Sequence, residues 1–210
     1  KTDNDATFMR MKEDHMLNGQ LKPGYNVQIG TSKQFILGYS IHQRPSDSTV
    51  LIPHLEWLKR RFGRFPEAVT ADAGYGSEEN YAWLDDKGVT AYVKYNNFHW
   101  EQKKKQRQNP FRVENLPYDN DTDSYQCPAG QRLNYLKTEE QVSANGYVSE
   151  RRIYEAEECQ GCTFREQCHK SKYNRRIQVG VKLQEYRKKA RELLLSPEGL
   201  NHRSRRPIEP

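Results

Sequence analysis

The sequence predicts an α/β protein built on a mixed sheet flanked by helices, and three observations predict it. Residues 25–43 alternate between apolar and polar side chains in two short runs, which is the pattern of a β-hairpin. Residues 66–95 read as strand, helix, strand, the unit from which parallel pairing arises. Helical periodicity precedes and follows these strands, with apolar residues at Leu51, Ile52, Leu55 and Leu58 and again at Leu183, Tyr186, Ala190 and Leu194.

The hairpin strands are Tyr25–Gly30 and Phe35–His42, joined by the polar turn Thr31-Ser32-Lys33-Gln34. Pro45-Ser46-Asp47 opens the first helix, with Asp47 as its N-cap, and Gly63 stops it; Lys59, Arg60 and Arg61 in its last turns suit the negative end of the helix dipole. The next strand is the most informative stretch of the chain. Val69-Thr70-Ala71-Asp72-Ala73-Gly74-Tyr75 delivers one acid to the end of a strand and then turns at glycine, and open α/β sheets place ligands at the carboxyl ends of strands. Two readings of Asp72 stand side by side: a carboxylate that faces a metal, or an Asx residue that only hydrogen-bonds its own turn. Ser77 then caps a helix with Asn80 three positions on, Gly88 stops it, and Thr90–Tyr95 forms another strand.

Beyond Asn96 the pattern breaks. A Lys/Gln run at Lys103-Lys104-Lys105-Gln106 leads past Pro110 into short strands that hold all four cysteines, and helical periodicity returns only at Val181–Leu195, ended by Ser196-Pro197-Glu198-Gly199. We therefore divide the chain into a core at 1–96, a Cys-rich insertion at 97–178 and a basic helical return to the core at 179–210.

Charge sharpens this division. The net charge is +6, but residues 1–98 hold 12 basic and 12 acidic groups, so the excess lies C-terminal, where Arg165–Arg206 carries 13 Lys and Arg against 4 Glu. Such a face attracts nucleic-acid phosphates, or is an idle solvated surface. Hydrophobic residues make up 34% and charged residues 30% of the chain, with a mean hydropathy of -1.08. No apolar run approaches the ~18 residues a bilayer span needs and no signal peptide opens the chain, so a cytoplasmic protein without membrane contact is expected. A chain that starts at Lys1 without methionine and stops at Pro210 reads as cut at both ends.

Cys127, Cys159, Cys162 and Cys168 are the right number of thiolates for one structural Zn²⁺, and Gly161 inside the CxxC pair permits the tight turn. The other spacings are irregular, so four reduced thiols and disulfides stay open as alternatives. His169 reads as a neighbour of Cys168 and not as a ligand.

With Asp72 in Ala71-Asp72-Ala73-Gly74-Tyr75, the strand Gly24-Tyr25-Asn26-Val27-Gln28, and Cys159-x-x-Cys162 followed by Cys168, the chain resembles bacterial insertion-sequence transposases of the DDE type over its whole length. The resemblance implies an RNase H-like fold and three acids that bind Mg²⁺ or Mn²⁺. By position Asp72 resembles the second of them. The first would lie upstream of Lys1 and the glutamate just beyond Pro210, with Glu209 its neighbour and not the ligand. Asp3 reads as a turn residue, and neither Asp3, Asp5 nor Asp47 follows a strand as the chemistry requires. Two divalent ions about 3.5–4 Å apart neutralise the phosphorus and activate the attacking oxygen in such reactions. One aspartate cannot hold both, so the fragment alone is expected to be inactive.

DNA is the implied partner, in transposon ends and target, and a homodimer the implied assembly of the whole protein. Lys103, Lys104, Lys105, Arg175, Arg176, Lys188, Lys189, Arg203, Arg205 and Arg206 are the candidate phosphate contacts, and Phe98 and Trp100 either stack on a base or belong to the core. Two further readings remain: a non-catalytic DNA- or protein-binding remnant with a zinc-stabilised insertion, and an RNase H-like nuclease without strand transfer.

Overall fold

The structure, a computed structural model, describes residues 3–10 and 19–204. Two compact units divide the chain: one draws on the sequence up to Asn96 and again from Tyr186, and the other spans Asn97–Glu185.

The first unit holds three two-stranded sheets. β1 (Thr7–Arg10) and β2 (Leu21–Gly24) pair antiparallel, with Phe8 opposite Pro23. β3 (Asn26–Ser32) and β4 (Phe35–His42) form the expected hairpin, in which Val27 faces Ile41 and Gln28 faces Ser40. Its faces are inverted relative to a simple amphipathic sheet. Val27, Ile29, Tyr39 and Ile41 are exposed, while Gln28 is buried and Gly30 and Gly38 give room to the helix packed on that side. A methyl at Gly38 would strike the Trp57 ring, so this helix and β4 approach as closely as they do only because no side chain stands there.

That helix is α1 (Leu51–Phe62), closed by Gly63 at φ 77 and preceded by a 3-10 turn at Asp47–Thr49. It presents His54, Leu55 and Leu58 inward. Ser40 Oγ lies 2.7 Å from both His42 Nε2 and His54 Nδ1, and burial, with the His42 charge second, pushes His54 down to about 4. β5 (Ala68–Ala71) and β6 (Thr90–Val93) pair parallel across α2 (Glu78–Asp86), whose first turn is capped by Ser77 Oγ accepting from Asn80 N at 3.2 Å.

The single mixed sheet expected from the sequence is not formed among the described residues. β3–β4 and β5–β6 stay separate, because the hairpin meets its neighbours through its face on α1 and not through an edge strand's hydrogen bonds. The core of this unit is Val50, Leu55, Leu58, Tyr81, Leu84, Val93 and Tyr95, joined from the C-terminal segment by Ala190 and Leu194.

In the second unit, two short helices, α3 (Phe98–Glu101) and α4 (Lys104–Arg107), lead to a five-stranded antiparallel sheet. Its strands are β7 (Tyr118–Asp119), β8 (Ser124–Gln126), β9 (Arg132–Val142), β10 (Val148–Ala156) and β11 (Arg176–Val179), in the order β11-β10-β9-β8-β7. One-turn α5 (Arg165–Cys168) sits in the β10–β11 connection. Leu116, Tyr125, Leu133, Tyr154, Ile177 and Val179 form the core, with Cys127 and Cys159 packed against it.

α6 (Val181–Leu195) begins in the second unit and ends in the first. Ser196-Pro197 does more than stop it. Ser196 Oγ accepts from Gly199 N at 3.0 Å and Pro197 takes the first helical position, so a further helix, α7 (Pro197–Ser204), starts there at once. Among the described residues no helix is long and apolar enough to cross a membrane.

Candidate functional site

Asp72 stands at the carboxyl end of β5 and is exposed. Its backbone is extended, and its Oδ1 accepts from Gly74 N at 2.8 Å, capping the 3-10 turn Ala73–Tyr75. Oδ2 has no protein partner among the described residues. The Asx reading is thus met by one oxygen, which holds the turn, and the other is left without a protein partner among the described residues.

Asp47 is the residue the sequence misplaced. It does not cap a helix, since Ser46 precedes the 3-10 turn and Asp47 lies within it. Its carboxylate is turned instead toward Asp72. Asp47 Oδ1 accepts from Asn26 Nδ2 at 2.9 Å and Gln28 Nε2 at 3.3 Å, two amides that β3 sends inward. Asp47 Oδ2 and Asp72 Oδ1 both lie 3.1 Å from the point where a Gly74 Cβ would stand, so they are separated by no more than twice that distance.

Tyr75 completes the group by donating its hydroxyl to Gln28 Oε1. Burial pushes its phenol up to about 12, and the Asp47 and Asp72 charges push the same way. Asn80, fully buried, donates to Ser48 O at 2.9 Å and to Tyr75 O at 2.8 Å, which ties the Asp47 segment to the Asp72 turn. Gly76 is required because the end of β6 presses on it: a Cβ there would lie 2.7 Å from Tyr95 Cα and nearer still to the Lys94 carbonyl. The Asn26/Gln28 alternation was the available sign of this network, being polar where a strand's buried face is ordinarily apolar.

α7 lies across the same strand pair. Tyr92 donates to Glu198 Oε2 at 3.2 Å, the His202 ring stacks on Tyr92 with centroids 4.2 Å apart, and His202 Nδ1 lies 3.4 Å from Thr70 Oγ1, two residues before Asp72. Asp3, at the other end of the described chain, is a turn residue: its Oδ1 accepts from Asp5 N and its Oδ2 from the Tyr25 hydroxyl.

The candidate cations are not alike. Lys103, Lys104, Lys105 and Lys188 are exposed. Arg176 is exposed but pairs with Glu155, and Lys189 pairs with Asp85. Arg203 is half-buried in the last turn of α7. Arg175 is a correction, because it is buried and its guanidinium donates to the Phe111 carbonyl and Cys168 Sγ, so it cannot reach a phosphate. Arg205, Arg206 and Glu209 lie outside the described residues. Phe98 is core, whereas Trp100 is partly exposed beneath the Arg112 guanidinium at 4.4 Å.

All four cysteines line one cavity of about 20 Å³ in the second unit, together with Phe111, Phe164, Arg165, His169 and Arg175. All are free thiols. Burial raises the Cys168 thiol, against the pull of Arg175. Among the described residues no three Cys, His, Asp or Glu side chains stand, as placed, in a geometry that holds a metal ion.

No curated protein and no solved structure matches the chain. The family model of the Transposase DDE domain matches residues 126–210, which is less than half of the chain and does not include Asp72. Over these residues the chain is similar to the Transposase DDE domain family.

Proposed function

We propose that the chain serves DNA strand cleavage and strand transfer in the transposition of a bacterial insertion sequence, with Asp72 one of the acids that hold catalytic Mg²⁺ or Mn²⁺. The observation that carries this reading is the exposed carboxylate at the end of β5, with one oxygen fixed by its own turn, the other without a protein partner among the described residues, and Asp47 Oδ2 facing the turn-bound oxygen across Gly74. Oxygen donors of this kind suit a hard divalent ion. A cation there would be held by Asp72 and would offset the repulsion between Asp72 and Asp47, whose Oδ1 the Asn26 and Gln28 amides already fix.

The chemistry such an ion supplies is neutralisation of the phosphorus and activation of an oxygen nucleophile. Gln28, Asn80 and Tyr75 do not touch the reacting atoms in this scheme; they hold the Asp72 turn in register with Asp47. An RNase H-like sheet, DNA as partner, a homodimer and a cytoplasmic location belong to the same proposal. So does inactivity of these 210 residues by themselves, since two carboxylates do not fill the coordination of two ions. A zinc ion among the cysteines would serve the fold, and no step of this chemistry passes through it.

Asp72→Asn separates the two roles of the residue. Asparagine keeps an oxygen for Gly74 N, so the turn and the melting temperature are retained, whereas the charge that attracts the metal is gone. Metal-dependent nicking of supercoiled DNA, measured with the chain joined to whatever sequence adjoins it in its gene, should fall at least about a hundredfold in this variant. Undiminished nicking by Asp72→Asn refutes the catalytic role. Failure of any adjoined form to nick, with DNA binding intact, favours the non-catalytic remnant, a reading helped by a family match confined to residues 126–210.

A further inference from the structure

The cysteine cavity carries a charge that the thiols alone leave unbalanced. Arg175 is 7% exposed, donates through Nη1 to Cys168 Sγ at 3.3 Å and through its backbone N–H to Cys159 Sγ at 3.4 Å, and otherwise reaches only the Phe111 carbonyl. No carboxylate lies within ion-pair distance of it among the described residues. Arg165, on the wall of the same cavity, likewise donates only to the carbonyls of Cys159, Ser171 and Lys172. Two guanidinium ions thus border one small space with sulfur and backbone oxygen as their acceptors. Arg165 is only half-buried, but Arg175 is buried, and burying a cation without a counter-charge is strongly unfavourable.

The three states open to the cysteines differ in the charge they offer. Four neutral thiols offer none, and two disulfides offer none. Four thiolates on one divalent ion carry two negative charges, which two guanidinium ions balance. The cavity, at about 20 Å³, has room for one ion and not for an organic ligand.

The backbone is shaped to the same end. Cys127 opens a turn closed by Gly130 N donating to its carbonyl at 2.9 Å, with Gly130 at φ 82, and Gly161 at φ 69 turns the chain between Cys159 and Cys162. The 31 residues between Cys127 and Cys159 are mostly β9 and β10, whose antiparallel register sets Leu133 opposite Ala156 and returns the chain to the end of the sheet it left.

We propose that Cys127, Cys159, Cys162 and Cys168 bind one Zn²⁺ as four thiolates, with Arg175 as the positioning residue that donates to their sulfurs and balances their charge. Each thiol gives up its proton to solvent as its sulfur joins the metal, and rotation of the cysteine side chains about their single χ angle closes the ligand set. His169 is the competing ligand, because neither ring nitrogen has a hydrogen-bond partner. It lines the same cavity but stays outside the ligand set, since four thiolates already complete a tetrahedral shell.

The test uses the 210-residue chain purified under reducing conditions. One zinc per chain is expected by elemental analysis, and Co²⁺ in its place should give the intense ligand-field bands of a tetrahedral tetrathiolate. Cys162→Ser should lose the metal, while His169→Ala should keep one equivalent and an unchanged cobalt spectrum. Arg175→Gln should weaken zinc binding tenfold to a hundredfold, roughly the usual cost of losing an outer partner of a metal ligand, and Arg175→Lys should recover part of it. A chain that stays free of zinc when zinc is supplied, with four thiols open to titration, overturns the site. A cobalt spectrum altered by His169→Ala overturns the ligand set, and unchanged affinity in Arg175→Gln overturns the charge argument. These readouts need no DNA cleavage, so they stand or fall apart from the transposase reading.

Discussion

Replacing Gly76 by alanine should loosen the strand pair that carries Asp72, and the structure sets the size of the effect. The added methyl would lie 2.7 Å from Tyr95 Cα, where ordinary contact begins at 3.4 Å, and the Lys94 carbonyl is closer still. Both obstacles are backbone, and Lys94 N is itself bonded to Ala71 O at 3.2 Å, so the turn and the end of β6 must part by most of an ångström. Overpacking of that kind costs about 1–3 kcal/mol, and the threatened hydrogen bond adds about 1 kcal/mol. Alanine also restricts the unfolded chain, which returns about 0.4–1 kcal/mol because the glycine's φ of -77 is one that alanine adopts freely. The net loss is about 2 kcal/mol.

Gly74→Ala is the internal comparison. Its methyl would meet the carboxylate ends of Asp47 and Asp72 at 3.1 Å, groups that can yield, so its stability should change by less than about 1 kcal/mol. Hydrogen exchange over residues 68–76 and 90–95 reads the local opening. About 2 kcal/mol corresponds to a roughly 30-fold loss of protection in Gly76→Ala. Equal protection in Gly76→Ala and the unsubstituted chain, or a larger loss in Gly74→Ala, would refute the reasoning.

Two further outcomes follow from groups already described. Burial holds His54 neutral in the fold down to about pH 4, whereas in the unfolded chain it takes up a proton near the ordinary histidine value of 6.5. The unfolded state therefore binds more protons between these values, so its contribution to stability is complete above pH 6.5 and is lost as the pH falls through 4; after discounting for solvent screening this is about 2 kcal/mol. His54→Gln should flatten stability across that window, and an unaltered acid limb in chemical denaturation would sink the assignment. DNA affinity should fall steeply with salt, with each phosphate contact worth about -0.9 in the slope of log K against log salt, so Lys103→Gln with Lys188→Gln should reduce that slope by about 2. A slope insensitive to both substitutions removes them from the interface.

What the sequence made legible was periodicity and punctuation. The hairpin at 26–42, the Ser77 cap, the Gly63 stop and α6 all rest on spacing within a few residues, and spacing is written in the chain. What it left hidden depends on contacts made at a distance. Alternation in β3 gives a period of two but not its sign, so nothing in the strand itself says that Asn26 and Gln28 turn inward and Val27 outward. That choice is made by α1, whose Trp57 and Leu58 occupy the space above Gly30 and Gly38. Asp47 was hidden for the same reason: a capping residue after Pro45 and an acceptor for two amides of β3 look identical in sequence. Ser196-Pro197 was read as a stop because a stop and a new start use the same residues.

The cysteines show the converse. Their spacing looks irregular only along the chain, since a long antiparallel hairpin consumes residues without moving its ends apart, and all four cysteines line one cavity.

The turn role of Asp72 and its proposed metal role look like alternatives, yet in this geometry the first would prepare the second. A free carboxylate on an exposed strand end samples several rotamers, and fixing it on metal binding would cost side-chain entropy of about 0.5–1 kcal/mol. The bond from Gly74 N to Oδ1 already removes that freedom, and it leaves Oδ2 as the outward donor. Gly74 also withholds a methyl from the space between the turn-bound Oδ1 of Asp72 and Oδ2 of Asp47, each 3.1 Å from where it would stand, so the two carboxylates face each other with no side chain between them. An Asx turn followed by glycine at a strand end is therefore a way of presenting a preorganised ligand. It follows that substitutions which spare the charge but break the turn should weaken metal binding too, though less than loss of the charge itself.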